Sequence, residues 1–290
     1  MEAVAASVII PTLRPGAALT RLIAALRGQT PPPAEILVID SSSADGSAEQ
    51  ARSLGCHVEV IPRSAFDHGG TRNRAAALAR HRYLAFMTQD ALPADPDFLA
   101  HLLRPLHAGG AAAFARQVPY PAATPIEAFH RSFNYPPTGH IHQAADLARL
   151  GIRAAFFSNV ASAFDRLPFQ AAHGFPEGVI LNEDMMLAYR LLRTGHRVAY
   201  AADARVYHSH DYHLRQQFCR YFDIGASLTQ AGGLLQQLPS GREGGRYARR
   251  QLGTLVRQRA WGWLAPALME LAVKWLAFQL GHRASRLPRR

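Results

Sequence analysis

Short apolar runs alternate with longer amphipathic stretches through the first third of the chain. The apolar runs lie at residues 7–10, 36–39, 58–61 and 83–87, and each is bounded by turn residues. Patterns with helical spacing lie between them, at residues 18–26, 47–54, 71–80 and 96–106. This alternation is typical of a mainly parallel sheet flanked by helices. The sequence therefore predicts an α/β fold.

Two of these helices also carry start signals. Ser47 and Gln50 have the spacing of a capping box, in which each side chain bonds a free backbone N–H of the first turn. Asp95 precedes Pro96, and a cap followed by proline suits the first helical position. We expect helices to begin at Ser47 and at Pro96.

The pattern changes after residue 118. Residues 119–151 are rich in proline, histidine and aromatic residues, which predicts a long, functional excursion with one short helix. A sheet-forming stretch at 154–164 follows, then a helix at 182–194 closed by Gly195, and two short strands at 197–200 and 204–208. The catalytic domain is expected to occupy residues 1–230.

Residues 231–290 form a second, basic and helical segment after a link rich in glycine and glutamine. The apolar run from Trp261 to Leu280 contains Glu270 and Lys274 and is broken by Pro266, so we do not expect it to span a bilayer. Tryptophans between arginine clusters favour amphipathic helices on an anionic membrane surface. Packing on the sheet, or on a second subunit in a homodimer, explains the same pattern equally well.

Composition narrows the possible partners. The chain has 290 residues, and 48% of them are hydrophobic. Its formal net charge is +11, and because it contains one lysine, arginine supplies almost all of the positive charge. Such charge favours a phosphate-bearing partner, first a nucleotide and then a membrane. No basic patch with interleaved aromatic residues lies outside the last segment, which argues against nucleic acid.

Cysteine usage and the amino terminus bear on the compartment. Cys56 and Cys219 are isolated, so their spacing predicts neither a disulfide framework nor a cysteine metal site. No charged and then apolar signal precedes the first strand. We expect a cytoplasmic protein, with a peripheral position on the inner face of the membrane as an option.

Polar residues follow the predicted strands where ligands of open α/β sheets bind. Pro11 and Thr12 end the first strand, Asp40 ends the second, and Gln89 and Asp90 follow the fourth. Asp40 suits a base or ribose contact and Asp90 a divalent cation. Each aspartate taken alone also suits an ordinary turn.

A glycine turn leads into the third helix. Gly69 and Gly70 followed by Arg72 suit an anion site at a helix start. The spacing is not that of a dinucleotide-binding loop, and the acidic residue such a loop needs is missing. A dehydrogenase is therefore not favoured.

Together these segments resemble glycosyltransferase family 2, whose members have the GT-A fold. The segments are SVIIPTLRP, ILVIDSSSADGS, HGGTRN, FMTQDALP, GFPE and NEDMMLAYRLLRTG. The details FDHGGTRN, RSFNYP, FFSNVASAF, HSH and FCRYFDIG are similar to its bacterial rhamnosyltransferase branch. The resemblance implies an inverting, metal-dependent transfer from a nucleotide-diphospho-sugar, dTDP-L-rhamnose, to a glycan or lipid-linked acceptor in cell-surface polysaccharide synthesis.

The resemblance also implies roles for single residues. The nucleotide-sugar contacts are Pro11, Thr12, Asp40, Arg72, Gln89 and Asp90. Asp90 matches the last acid of the family's DxD metal motif, where Thr88 replaces the first acid. Mg²⁺ or Mn²⁺ would then be coordinated by Asp90 and a histidine, for which His208 is the first candidate and His210 the second. A zinc site that also uses Asp211 and His213 is a further option.

The family's ED pair falls on Glu183 and Asp184, with Asp184 as the general base that deprotonates the acceptor. Acids at a helix start also favour the helix dipole, which is the structural alternative. We expect the excursion to bring Arg116, Gln117, Asn134 and Tyr135 over the donor sugar or the acceptor, although ordinary packing explains Tyr135 equally well. The missing acid at Thr88 leaves open an inactive nucleotide-sugar-binding or scaffold protein, and another donor is also open.

Overall fold

A mixed, nine-stranded sheet forms the centre of the computed structural model, which describes residues 4–230, 235 and 243–284. Its strands are β1 (Val4–Thr12), β2 (Pro33–Asp40), β3 (His57–Val60), β4 (Tyr83–Met87), β5 (Leu92–Pro93), β6 (Ala112–Val118), β7 (His140–His142), β8 (Ala161–Asp165) and β9 (Val198–Tyr207). The spatial order is β3-β2-β1-β4-β8-β6-β9-β5, and β7 pairs with β9. The predicted mainly parallel sheet is confirmed, because six of these nine strands, β1 to β4, β6 and β9, run in one direction.

Helices cover both faces of the sheet. They are α1 (Ala17–Arg27), α2 (Ser47–Ser53), α3 (His68–Leu78), α4 (Phe98–His107), α5 (Pro125–Asn134), α6 (Ala144–Leu150), α7 (Arg166–Ala171), α8 (Glu183–Arg193), α9 (Leu214–Gln230), α10 (Glu243–Arg257) and α11 (Leu264–Ala284). Side chains of successive strand residues enter opposite layers, as Val8 and Ile10 pack with α1 and α4 whereas Ile9 packs with α3 and α8. Burial on both faces explains why the strands are continuous apolar runs.

Parallel strands bring their carboxyl ends to one edge of the sheet. The ends of β1, β2, β4, β6 and β9 lie there, and the antiparallel β8 starts there. Residues separated widely in sequence, from Thr12 to His210, therefore meet at this edge. It is the edge at which open α/β sheets bind ligands.

Several local predictions are wrong. The excursion at 119–151 holds two helices and a strand (α5, β7 and α6) rather than one short helix. The predicted strand at 154–164 starts at Ala161, because the residues before it form turns. The two strands predicted after residue 196 are one strand, β9, whose pairing with β6 shifts register between Ala115 and Arg116.

One of the two predicted helix starts is confirmed and the other is wrong: α2 begins at Ser47, although without the predicted capping box, whereas α4 does not begin at Pro96. Gly46 precedes α2, and the carboxylate of Asp45 accepts the backbone N–H and the hydroxyl of Ser47, so no capping box forms with Gln50. α4 begins at Phe98, two residues later than predicted. Before α4 the Asp95 carboxylate accepts the backbone N–H of Asp97, and the side-chain oxygen of Gln29 accepts that of Leu99 in the first turn.

The C-terminal helices pack on the α/β core. α11 crosses α9 closely, and a Cβ added to Gly281 would lie 1.9 Å from the carbonyl oxygen of Phe222. Leu255 of α10 and Ala267 of α11 bury Ile126 of α5. Most of the predicted link at 231–245 lies outside the described residues. Among the residues that are described, no helix has both the length and the apolar character needed to cross a membrane.

Candidate active site

The first part of the site lies where β1 and β2 end side by side, with Thr12 paired to Asp40. Asp40 is 1% exposed, and its carboxylate accepts the Thr12 hydroxyl at 3.0 Å and the Ser43 backbone N–H at 2.7 Å. Pro11 precedes Thr12 and is half-buried. The hydroxyl of Ser41, the next residue, is buried without a hydrogen-bond partner among the described residues. Asp40 therefore holds the two strand ends together.

Gln89 lies in the turn after β4. Its side-chain oxygen accepts the Leu13 N–H at 2.8 Å, and its amide nitrogen donates to the Leu13 carbonyl at 3.2 Å. Both ends of the amide thus bind the loop that follows β1. The side chain fixes the gap between the ends of β1 and β4, which are neighbours in the sheet.

The second part is a cluster of one carboxylate and two imidazoles. The Asp90 carboxylate lies 3.0 Å from Nε2 of His210 and 3.5 Å from Nε2 of His208, and the two Nε2 atoms are 3.1 Å apart. Burial raises the pKa of Asp90, but the two imidazoles beside its carboxylate, His208 and His210, outweigh it and leave the pKa below its ordinary value. Burial lowers the pKa of His208, which favours the neutral imidazole.

These three residues are chemically suited to a cation. Metal–ligand distances of about 2.1 Å in tetrahedral or octahedral geometry separate neighbouring ligands by about 3.0–3.4 Å, close to the separations found here. Among the described residues, this is the group of acidic, histidine or cysteine side chains that meets the geometry of a metal site. The zinc alternative loses support, because the Asp211 carboxylate accepts the Thr124 hydroxyl at 2.7 Å instead.

The third part is the acidic pair at the start of α8. Glu183 is 5% exposed, and its Oε1 lies 3.3 Å from a guanidinium nitrogen of Arg72 and 3.4 Å from the amide nitrogen of Asn159. The neighbouring Asp184 accepts the backbone N–H groups of Asn159 at 2.9 Å and Met185 at 2.8 Å. Burial and the Glu183 carboxylate raise the pKa of Asp184 to about 7. The two acids differ, since a guanidinium lies beside Glu183, whereas no cationic side chain among the described residues bonds Asp184 and its pKa is raised.

Two consecutive residues connect the acidic pair to the cation cluster. Ser158 accepts a hydrogen bond from the amide of Gln117 at 2.9 Å, and Gln117 bonds His208 at 2.9 Å. Asn159 is the residue that holds Asp184. Neither was predicted as a site residue from the sequence. The available signal was a polar pair inside the apolar run at 154–164.

The residues expected over the acceptor lie in different environments. Gln117 and Tyr135 are buried and bond each other at 2.6 Å. The Asn134 amide donates to the His130 carbonyl at 3.1 Å. Arg116 is half-buried, and its Nε has no hydrogen-bond partner among the residues that the structure covers. Arg116 is therefore the member of this set with a donor left over.

Comparisons with known proteins identify the family of the chain. A model of glycosyl transferase family 2 matches residues 7–170. The chain is 36% identical over 286 residues to the O-antigen chain rhamnosyltransferase WbaN of Salmonella anatum, covering 97% of this chain and 90% of that protein. It is 35% identical over 289 residues to the O-antigen chain rhamnosyltransferase RfbN of Salmonella typhimurium strain LT2, covering 97% and 91%.

Solved structures share the fold at low sequence identity. The mannosyltransferase PcManGT from Pyrobaculum calidifontis, in complex with GDP-Man and Mn²⁺, superimposes with a TM-score of 0.68 at 14% identity, covering 99% of this chain and 89% of that one. S. aureus TarS 1-349, in complex with UDP-GlcNAc, gives a TM-score of 0.54 at 13% identity, covering 97% and 91%. The predicted GT-A fold is confirmed.

The ligand edge of this GT-A sheet carries an acidic pair and a carboxylate–imidazole cluster, and the relatives of the chain show that it is a glycosyltransferase. The full-length relatives and the family match narrow this class further. The chain belongs to glycosyltransferase family 2, and it is an enzyme of that family.

Proposed function

We propose that this enzyme transfers L-rhamnose from dTDP-L-rhamnose, with inversion, to a hydroxyl of a glycan or lipid-linked acceptor in cell-surface polysaccharide synthesis. The names of the two Salmonella relatives, which align over nearly the whole chain, support the sugar and the process. One structural observation carries the chemistry. A carboxylate with a near-neutral pKa and a carboxylate–imidazole cluster lie at one edge of the sheet, joined through Ser158 and Asn159.

Asp184 is proposed as the general base. Direct displacement at the anomeric carbon requires the acceptor hydroxyl to lose its proton as it attacks, and a base near the working pH does this best. Glu183 is held by Arg72 and Asn159, which leaves Asp184 as the more available acid. The negative charge of Glu183 keeps the proton affinity of Asp184 high.

Asp90, His208 and His210 are proposed to hold a divalent cation, Mn²⁺ or Mg²⁺. Bound there, the cation would neutralise the diphosphate as it leaves. Two imidazole ligands favour Mn²⁺, because nitrogen ligands bind transition metals better than Mg²⁺. The absence of an acid at Thr88 is then compensated by the second histidine, so the inactive alternative loses its main support.

The nucleotide-sugar is proposed to lie along the ends of β1, β2 and β4. Asp40 and Gln89 shape this surface by holding Thr12 and Leu13. The Nε of Arg72 is buried without a partner among the described residues and is available to a phosphate or sugar oxygen. On the acceptor side, the unpartnered Nε of Arg116 has the same property, whereas Asn134 and Tyr135 shape the wall.

A panel of nucleotide sugars tests the proposal. The wild-type protein should turn over dTDP-L-rhamnose with Mn²⁺ and lose turnover with EDTA. Asp184→Asn should reduce kcat by about 10²–10⁴-fold, the range expected for loss of a general base. Asp90→Asn should raise the Mn²⁺ concentration needed for turnover, and Glu49→Gln, at an exposed carboxylate, is the matched control. Turnover of another donor alone would refute the rhamnose assignment, and full activity of Asp184→Asn would refute the base.

We further propose that the enzyme works on an anionic membrane surface through α11. From residue 264 to residue 280, its two charged residues, Glu270 and Lys274, pair with each other and are largely buried, while each exposed residue is apolar. The most exposed include Leu268 at 54% and Trp275 at 66%. This arrangement is the reverse of an ordinary surface helix, whose charges face water.

The charge around the exposed apolar face of α11 favours a lipid surface as its binding partner. The exposed charged residues among described positions 244–284 are all arginines, namely Arg249, Arg250, Arg257, Arg259 and Arg283. A second copy would bring the same positive charges together and be repelled. An anionic bilayer offers acyl chains to the exposed apolar face of α11 and negative headgroups to the arginines.

Vesicle sedimentation separates these occupants. The protein should bind vesicles that contain phosphatidylglycerol more tightly than phosphatidylcholine vesicles, and Leu268→Glu with Trp275→Glu should abolish binding. Leu167→Glu, at an apolar residue 70% exposed elsewhere, should leave binding unchanged. Equal binding by the double variant, or a wild-type dimer that the double variant dissociates, would overturn the membrane assignment.

A further inference from the structure

A buried polar network lies directly behind the two histidines of the cation cluster. Gln117 is 2% exposed, and Glu127, Arg131 and His208 are each 7% exposed. Gln117 Oε1 receives hydrogen bonds from a guanidinium nitrogen of Arg131 and from Nδ1 of His208. Its amide nitrogen donates to Tyr135 and Ser158. Both ends of this buried amide are thus engaged, which leaves it no group for a sugar.

The guanidinium sets the direction of each bond in this network. Arg131 can only donate, so the oxygen of Gln117, not the nitrogen, must face it. That oxygen can only accept, so Nδ1 of His208 must carry a proton. In a neutral imidazole the other nitrogen then has a free lone pair. This nitrogen, Nε2, lies beside Asp90 and His210.

The same guanidinium also reaches the second histidine. Nε of Arg131 donates to Oε1 of Glu127 at 2.6 Å, and this oxygen accepts the backbone N–H of His210 at 3.1 Å. Thr124, which caps α5, bonds Asp211 next along the chain. One turn of α5 therefore anchors the whole segment that carries the histidines.

We propose that Gln117 and Arg131 are positioning residues for the cation site. They hold His208 in the tautomer protonated at Nδ1, so that the Nε2 lone pair is always presented to the cation. This inference rests on the proposed cation site and assigns Gln117 a role other than contact with the acceptor or the sugar. Hydrogen-bond partners that orient metal-binding histidines typically change metal affinity by about 10–100-fold.

Two substitutions at one position separate orientation from general packing. Gln117→Leu removes the acceptor for His208 and should weaken Mn²⁺ binding by about 10–100-fold. Gln117→Glu keeps an acceptor for both His208 and Arg131 and should retain affinity within about threefold, a small part of that range. Gln29→Leu removes another buried amide, 4% exposed with three hydrogen bonds outside the network, and should leave Mn²⁺ affinity unchanged.

Mn²⁺ affinity is measured by calorimetric titration of each full-length variant. The His208 tautomer is read independently from ¹⁵N shifts of histidine-labelled, metal-free protein, with His208→Gln identifying the signal. The wild type and Gln117→Glu should show a proton on Nδ1, and Gln117→Leu should show a tautomer mixture.

The two readouts fail in different ways. A wild type that does not bind Mn²⁺ would refute the cation site, while the tautomer measurement would still test the network. Wild-type affinity and an unchanged tautomer in Gln117→Leu would overturn the role of Gln117. If Gln117→Glu weakens binding as much as Gln117→Leu, the effect is not orientation and the inference is equally wrong.

Discussion

Replacing Asp184, the proposed base, by asparagine should stabilise the protein while it reduces kcat by about 10²–10⁴-fold. Burial and the Glu183 carboxylate raise the pKa of Asp184 from 3.8 to about 7. At about 1.4 kcal/mol per pKa unit, the ionised carboxylate weakens the folded state by about 4 kcal/mol above pH 7. Asparagine has no charge but loses one of the two acceptors for Asn159 and Met185, which costs about 2 kcal/mol.

The pH dependence gives this prediction its sign. An unfolded aspartate releases its proton near pH 4, whereas folded Asp184 retains it up to about pH 7, so wild-type stability falls between these values and then levels off. The Asp184→Asn variant lacks this pH-dependent loss of stability. Its advantage in urea unfolding should grow from near zero at pH 5 to about 2 kcal/mol at pH 8.

Urea unfolding of the wild type and Asp184→Asn at pH 5, 6, 7 and 8 measures the difference, and Glu49→Gln at an exposed carboxylate should show none. A stability difference that is the same at pH 5 and pH 8 would refute the reasoning about burial. A variant less stable than the wild type at pH 8 would show that the backbone N–H groups outweigh the charge.

Three other outcomes are expected. Below pH 7, kcat/KM for the donor should fall about tenfold per pH unit, because Asp184 must be ionised to accept a proton. A flat profile from pH 5.5 to 8.5 would exclude Asp184 as the base. Gly281→Ala should lower the free energy of unfolding by more than about 2 kcal/mol, because the Cβ would meet the Phe222 carbonyl at 1.9 Å. Gly253→Ala, with its nearest neighbour at 3.7 Å, should instead add about 0.5–1 kcal/mol in denaturant melts, and equal effects would contradict the close crossing. Lys274→Met should lower the free energy of unfolding by about 3 kcal/mol, because it leaves Glu270 buried and unpaired. The double variant Lys274→Met with Glu270→Leu should recover most of this loss. If the double variant is no more stable than Lys274→Met, burial of the pair is not the cause.

The parallel strands were predictable because central strands are buried on both faces. Residues 7–10 and 36–39 read as continuous apolar runs, and each lies inside an observed strand. The position of Asp40 and Asp90 at one edge of the sheet was predictable for a related reason. Polar residues directly after buried strands lie at the ligand edge, whatever else they do.

Helix starts and the excursion were less predictable because short-range alternatives compete there. Ser47 has the spacing of a capping box, yet the nearby Asp45 carboxylate bonds its N–H and hydroxyl. Asn159 gave a weak signal, since a single polar pair within an apolar run does not reveal what it bonds. The aromatic residues of α5 were not predictable as a packing surface from α5 alone. Their partner is Tyr247 of α10, which packs against Phe129 and Phe133.

Local sequence patterns are sufficient to predict the alternation of strands and helices, the polar residues at the strand ends and the family, because burial and backbone preference are encoded locally. The side-chain partners of these residues follow from tertiary packing. Gln117 meets His208 across 91 positions and Arg72 meets Glu183 across 111, and Glu270 and Lys274 turn inwards because α9 covers that side of α11. Such pairings depend on strand register and helix packing, which join segments that no local pattern relates.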